Sequence, residues 1–249
     1  MTMKSNQKVF ITGASSGIGA AIAAEYASQG AILGLVARRE AKLEAIKNEC
    51  LALGAEDVKT YSLDVTDLDQ SMSTAKDFIA WAKEGIDIVV ANAGVAFSDH
   101  LSSGDPTQIN QTLLINILGV TNTVIPFVPT MKSQKKGAIV IMSSIASFTA
   151  PAYFGGYSAS KVAVRRLGDG WRATLQKHNV QVTTICPGYI KSEMTDINDF
   201  KMPFLMETDV AAKKMVQAIK SRKKTYILPW QWRPVIAISR LFGRKLKSI

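Results

Sequence analysis

Short strand candidates, several of them runs of apolar residues, alternate along this chain with longer segments of helical character, and this alternation limits the fold more than any other feature. The strand candidates are 9–11, 32–36, 58–63, 86–91, 138–142 and 180–185. The intervening stretches 18–29, 40–53, 67–83, 109–128 and 157–176 read as helices. A strand apolar on every residue is buried on both faces, so strands of this kind in a βαβ rhythm form a mostly parallel sheet covered by helices on both sides. No linker composition and no internal repeat interrupts residues 1–249. The expectation is one α/β domain, a doubly wound sheet.

The first strand runs directly into Thr12-Gly13-Ala14-Ser15-Ser16-Gly17-Ile18-Gly19, and a helix follows. Glycine tolerates positive φ and lets a ligand approach the backbone. The helix that follows offers unpaired N–H groups to a phosphate. The Gly-x-x-x-Gly-x-Gly spacing differs from Gly-x-Gly-x-x-Gly, but its place between first strand and first helix marks a dinucleotide loop of Rossmann type. Its candidate contacts are Gly13, Ser15, Ser16, Gly17, Ile18 and Gly19.

The second strand ends at Ala37-Arg38-Arg39. An NAD-selective site places an acid there for the ribose 2′-OH, whereas arginines present planar donors to a 2′-phosphate. This predicts NADP(H), with Arg38 as the main phosphate contact and Arg39 and Ser15 assisting. The competing reading is a solvated positive turn before Glu40.

Composition excludes several classes. The two cysteines, Cys50 and Cys186, have no metal-like spacing and build no disulfide framework, which implies a reducing, cytoplasmic compartment and no metal site. The apolar strand at 9–11 follows so soon after the start that no secretory segment is expected, and no uninterrupted apolar run has the length of a membrane span. The net charge of +10 is lopsided: residues 210–249 hold 11 of the 30 Lys and Arg and none of the 20 acids. A nucleic-acid binder spreads its basic residues over a reading surface, so no nucleic-acid partner is expected.

The set Thr12 to Gly19, Asp64-Val65, Asn92-Ala93-Gly94, Asn116, Ser144, Tyr157-Ser158-Ala159-Ser160-Lys161 and Pro187-Gly188 resembles the classical short-chain dehydrogenase/reductase family in order and spacing across nearly the whole chain. The resemblance implies Tyr157 as acid/base, Lys161 as its partner, Ser144 as orienter of the substrate oxygen, and Asn116 as holder of a relay water. Ser143 competes for the orienting role, and the family's thirteen-residue separation from the tyrosine selects Ser144. The resemblance also implies that Asp64 and Val65 contact adenine and that Asn92, Ala93 and Gly94 line the nicotinamide ribose. Tyr157 and Lys161 serve the cofactor too, Pro187, Gly188 and Ile190 adjoin the carboxamide, and Ser192 fills the usual threonine position.

The residue chemistry agrees. Tyr157 and Lys161, four apart, share a helix face. A phenol near pKa ~10 is protonated at neutral pH, and a nearby ammonium is expected to lower it toward the working range. Asn116 inside the apolar helix 113–118 needs buried partners, or else marks a helix kink.

The segment 192–209 resembles a substrate-covering lobe, with Met194, Phe200, Met202, Phe204, Leu205 and Met206 as its apolar side chains. Tyr153, Phe154 and residues 95–97 extend the wall. The substrate expected is a moderately hydrophobic carbonyl compound or its alcohol. The alternative is a non-catalytic nucleotide-sensing or structural protein on the same fold. The resemblance implies a homodimer or homotetramer through the helices at 109–128 and 157–176. After a strand at 226–228, residues 234–249 read as a basic amphipathic helix carrying Arg240, Arg244 and Lys247. Such a helix either packs on the protein or makes peripheral contact with an anionic membrane.

Overall fold

The computed structural model describes residues 6–83, 85–196 and 199–241. Its strands are β1 (Lys8–Thr12), β2 (Ile32–Ala37), β3 (Asp57–Ser62), β4 (Ile88–Ala91), β5 (Gly137–Met142), β6 (Val180–Pro187) and β7 (Thr225–Leu228). The helices are α1 (Gly17–Ala27), α2 (Glu40–Ala52), α3 (Leu68–Trp81), α4 (Thr107–Gln134), α5 (Gly155–Leu175), α6 (Glu193–Asp196), α7 (Thr208–Lys220) and α8 (Trp232–Leu241). The strands form one sheet in the order β3-β2-β1-β4-β5-β6-β7, every neighbour parallel. The chain starts mid-sheet, winds out to β3, then returns to β4 and winds the other way. That reversal opens a crevice at the carboxyl ends of β1 and β4, where a doubly wound sheet takes its ligand.

Side chains alternate across the sheet and feed two apolar layers. Val9 and Ile11 face a layer with Tyr26, Leu33, Leu43 and Met215, beneath α1, α2 and α7. Phe10 faces the other, with Phe78, Phe127, Met131 and Val164, beneath α3, α4 and α5. Gly34 makes room there, since a Cβ would lie 2.6 Å from the Phe78 ring.

Several expectations shift in detail. The strand expected from residue 86 begins at Ile88, because Gln134 instead brackets Ile86, accepting from its N–H (3.1 Å) and donating to its carbonyl (2.8 Å). α4 runs on to Gln134 and contains a π turn at Leu114–Leu118 and a 3₁₀ turn at Ile125–Phe127. It is 28 residues long and holds an 18-residue window of mean hydropathy 1.5, long and apolar enough to cross a membrane by those measures alone although polar residues interrupt it. Its Val120, Val124, Phe127 and Met131 are instead buried against the sheet, while Leu114, Leu118 and Ile125 remain exposed. α8 starts at Trp232, two residues before the expected tail helix. Residues 242–249, with Arg244 and Lys247, lie outside the described residues.

Candidate active site

Each strand of the crevice delivers site residues just beyond its end. After β1, Gly13 and Gly17 take φ of +68° and +55°. The Thr12 hydroxyl accepts hydrogen bonds from the N–H groups of Asn92 (3.2 Å) and Ala93 (3.3 Å). The Asn92 amide donates to the carbonyls of Thr12 (3.0 Å) and Gly13 (3.2 Å). These bonds tie the ends of β1 and β4 together across the switch point. Gly19 packs against the same turn so closely that a Cβ would sit 2.2 Å from the Gly13 carbonyl oxygen. Ser16 holds the N-cap position of α1 in extended backbone, and its hydroxyl makes no cap bond. The first N–H groups of α1 therefore point out of the loop unclaimed by a side-chain cap, which fits a pyrophosphate.

Beyond β2 the two arginines separate. Arg39 reaches over the glycine loop: its Nη2 donates to Ser15 Oγ (3.0 Å) and Ser16 Oγ (2.8 Å). Its Nη1 pairs with Glu193 at 2.7 Å, and Lys42 holds the other carboxylate oxygen of Glu193. Arg38 turns the other way, toward Asp64 at 3.6 Å. Arg39, expected to assist, is thus the arginine bonded to the loop serines, while Arg38, expected as the main phosphate contact, faces Asp64. Asp64 also accepts from the N–H (3.0 Å) and hydroxyl (2.8 Å) of Thr66. Partial burial raises its pKa, but the Thr66 bonds and Arg38 outweigh this and hold the carboxyl below its ordinary value. Val65 is buried, and its carbonyl accepts from Asn122 at 2.9 Å.

Beyond β5 the competing serines part. Ser143 Oγ donates to the Lys161 carbonyl at 2.9 Å and is spent in the scaffold. Ser144 Oγ accepts from the Ala146 N–H at 3.1 Å and is hydrogen-bonded to the Tyr157 phenol. Lys161 is 4% exposed, with Nζ 5.5 Å from the Tyr157 ring centroid and 3.1 Å from the Met142 carbonyl. Its ammonium lies over the ring, and Lys161 is not among the groups that shift the phenol. The expected lowering of the Tyr157 pKa is accordingly not found. Burial pushes the phenol upward, and the Ser144 hydrogen bond offsets only part of that.

Burial acts on Lys161 in the opposite sense and brings its pKa down to about 8. In the unfolded chain the amine titrates near 10.5, so between pH 8 and 10.5 the unfolded state binds more protons and stability rises with pH. Below pH 8 both states are charged and the burial penalty is fully present. Lys161→Met removes that penalty. Its stability relative to the parent is therefore expected to be about 2 kcal/mol more favourable at pH 7 than at pH 10. Urea unfolding at both pH values measures this; an equal difference at the two would mean Lys161 is not held in a desolvated site.

Asn116 is fully buried in the π turn of α4. Its Oδ1 accepts from the Val95 N–H (2.8 Å), and its Nδ2 donates to the Val95 carbonyl (2.9 Å) and Ser160 Oγ (3.0 Å). This geometry holds the bend of α4 against the backbone at Val95. It also fixes the backbone beside Gly94, where a Cβ would lie 2.9 Å from Asn116 Oδ1 and 3.3 Å from Lys161 Nζ.

Asp99 is a site residue that the sequence reading missed. It is buried, its N–H donates to the Tyr153 carbonyl at 2.6 Å, and its Oδ2 accepts from the Gly156 N–H at 2.9 Å. It thereby anchors the start of α5 one residue before Tyr157. The Gly155-Gly156 pair was the available signal, because a Cβ on Gly155 would lie 2.8 Å from that carboxylate.

Beyond β6, Ser144 Oγ lies 3.5 Å from the Pro187 carbonyl, and the Gly188 N–H donates to Leu228 at 2.7 Å. Ile190 is buried and bridges to Met206, which closes the lobe at its base. Ser192 Oγ bonds the Ile190 carbonyl (3.3 Å), and Ser192 Cβ would be 3.2 Å from a Cβ on Gly17, so the lobe begins against the glycine loop. Met194, Phe200, Phe204 and Leu205 stay partly open, and Tyr153 is exposed. Trp232 of α8 joins them, its ring 6.1 Å from Tyr189 and 5.8 Å from Phe204. Trp232, the first residue of α8, thus packs on the lobe, while Val235 and Ile238 of the same helix are exposed.

A family model for short chain dehydrogenases matches residues 7–201. An uncharacterised oxidoreductase of Myxococcus xanthus is 35% identical over 231 residues, covering 93% of this chain and 90% of the relative. The crystal structure of a Mycobacterium paratuberculosis short chain dehydrogenase bound to NAD superimposes with a TM-score of 0.81 at 25% identity, over 90% of this chain and 96% of that one. The alcohol dehydrogenase of the archaeon Thermococcus sibiricus, complexed with 5-hydroxy-NADP, gives a TM-score of 0.78 at 27% identity, over 89% and 95%.

Proposed function

This chain belongs to the short-chain dehydrogenase/reductase family, and we propose that it is an NADP(H)-dependent oxidoreductase interconverting a moderately hydrophobic carbonyl compound and its alcohol, with Tyr157 as acid/base. The observation that carries the reading is the meeting of Ser144, beyond β5, with Tyr157 of α5 at the carboxyl end of the sheet, where the Lys161 ammonium is buried over the Tyr157 ring. The nicotinamide, when bound, supplies or accepts the hydride. Ser144 donates a hydrogen bond to the substrate oxygen, where negative charge develops in reduction. Tyr157, kept protonated by its buried site, gives its phenolic proton to that oxygen; in oxidation the phenolate takes the proton back. Lys161, with its pKa brought down to about 8, stays largely charged at neutral pH and stabilises the phenolate as it forms.

The glycine turn and open α1 terminus fit a dinucleotide, and Arg39 over Ser15 and Ser16 favours one with a 2′-phosphate. Solved relatives of this fold hold either NAD or an NADP derivative, so the arginine is what argues for the phosphate. Arg39→Ala is expected to weaken NADPH binding by roughly tenfold or more while changing NADH little, because a charge-assisted phosphate contact is lost. Fluorescence titration with both cofactors reads this; equal losses would remove the basis for NADP(H). Leu114, Leu118, Ile125 and Val162 form exposed apolar surface on α4 and α5, which supports pairing of these helices in a homo-oligomer. The deciding assay is oxidation of NADPH and NADH with a panel of carbonyl compounds. Cofactor binding with no turnover on any member would favour a nucleotide sensor instead.

A further inference from the structure

The cations beside the glycine loop are already engaged by an anion from elsewhere in the chain. Glu193 is the first residue of α6, at the start of the lobe. Its carboxylate divides its oxygens, one to Arg39 Nη1 at 2.7 Å and one to Lys42 Nζ. Arg39 holds Ser15 and Ser16 with its remaining nitrogens, so one guanidinium joins the glycine loop, the end of β2 and the lobe. The α6 turn itself is closed locally, by Thr195 Oγ1 accepting from the Ser192 N–H at 2.9 Å and donating to the Ile190 carbonyl at 2.9 Å. Nothing in that turn needs Glu193 to be paired.

All three side chains are about half exposed, so the two ion pairs are weak and easily exchanged. Lys42 and Arg39 together hold the Glu193 carboxyl down at about 2, so it is an anion at any working pH. A phosphate monoester carries more charge and three acceptor oxygens, and it competes for the same donors on better terms than one carboxylate.

We infer that Glu193 is an internal stand-in for the cofactor's 2′-phosphate, displaced when that phosphate binds Arg39 and Lys42. Resting on the NADP(H) reading above, this makes Lys42 a further specificity-determining residue. It also couples entry of the phosphorylated cofactor to loss of the Glu193 link between the lobe and the glycine loop. A dinucleotide lacking the 2′-phosphate leaves Glu193 in place. The lobe thus distinguishes the two cofactors before any substrate arrives.

The test uses the full chain and two adenosine fragments, 2′,5′-ADP and 5′-AMP, titrated by calorimetry. The parent protein is expected to prefer 2′,5′-ADP. Glu193→Gln should tighten 2′,5′-ADP by roughly three- to tenfold, the range for losing one or two exposed ion-pair competitors, and leave 5′-AMP unchanged. Adding Lys42→Met to Glu193→Gln should cancel that gain. If the parent prefers 2′,5′-ADP but Glu193→Gln leaves its affinity unchanged or lower, displacement is wrong and the NADP(H) reading stands. If the parent binds both fragments equally, the NADP(H) reading fails and displacement fails with it.

Discussion

Tyr157→Phe is expected to lower carbonyl-reductase turnover by about a thousandfold, within the range for loss of a positioned general acid, while cofactor affinity changes by less than about threefold. The substitution deletes one hydroxyl and keeps the ring. The ring still lies beneath the Lys161 ammonium, 5.5 Å from its centroid, so the local packing survives. What disappears is the hydrogen bond to Ser144 and the proton that the substrate oxygen must receive. Ser144 cannot replace it, since an aliphatic hydroxyl is a far weaker acid than a phenol. Steady-state kinetics and cofactor titration on one preparation separate chemistry from binding. Turnover within about tenfold of the parent would remove Tyr157 from the acid/base role.

The second large effect comes from a single methyl group. In Gly19→Ala the new Cβ would meet the Gly13 carbonyl oxygen at 2.2 Å and the Asn92 amide nitrogen at 2.6 Å. Alanine improves helix propensity by about 1 kcal/mol over glycine, which alone would stabilise α1. The clash outweighs that gain, because the obstructing atoms are backbone and an amide held by Thr12 and Gly13. Overpacking of this kind costs about 1–3 kcal/mol, and relief requires the glycine turn to move. The expected result is a lower melting temperature and dinucleotide binding weakened by roughly a hundredfold, since turn and α1 terminus no longer line up. Gly170→Ala is the matched control. It lies exposed within α5 with nothing within 4 Å of the new Cβ, and it should stabilise by about 0.5–1 kcal/mol. Parent-like binding in Gly19→Ala would mean the turn is not the dinucleotide cradle.

The fold was legible because it rests on local regularities. Apolar runs at 9–11, 32–36 and 138–142 became β1, β2 and β5 with small changes of boundary, since a strand buried on both faces leaves no freedom in composition. The glycine spacing and the Tyr157–Lys161 pair were legible for the same reason, as each is a short-range pattern. Arg38 and Arg39 are adjacent, and chain position cannot say which one turns inward. The answer depends on Glu193, 154 residues away, and on the serines of the loop. Asp99 was missed because a lone acid in a loop carries no signal until α5 folds back onto it. The same applies to α4, where the π turn around Asn116 follows from contacts with Val95 and Ser160.

The sequence by itself therefore determined the layered sheet, the place of the dinucleotide turn and the company of Tyr157. Only the tertiary structure decided the electrostatics of that company. Burial, not the neighbouring charge, governs both the phenol and the ammonium, raising one and bringing the other to about 8. Desolvation depends on everything packed around a group, and that is a property of the folded molecule alone.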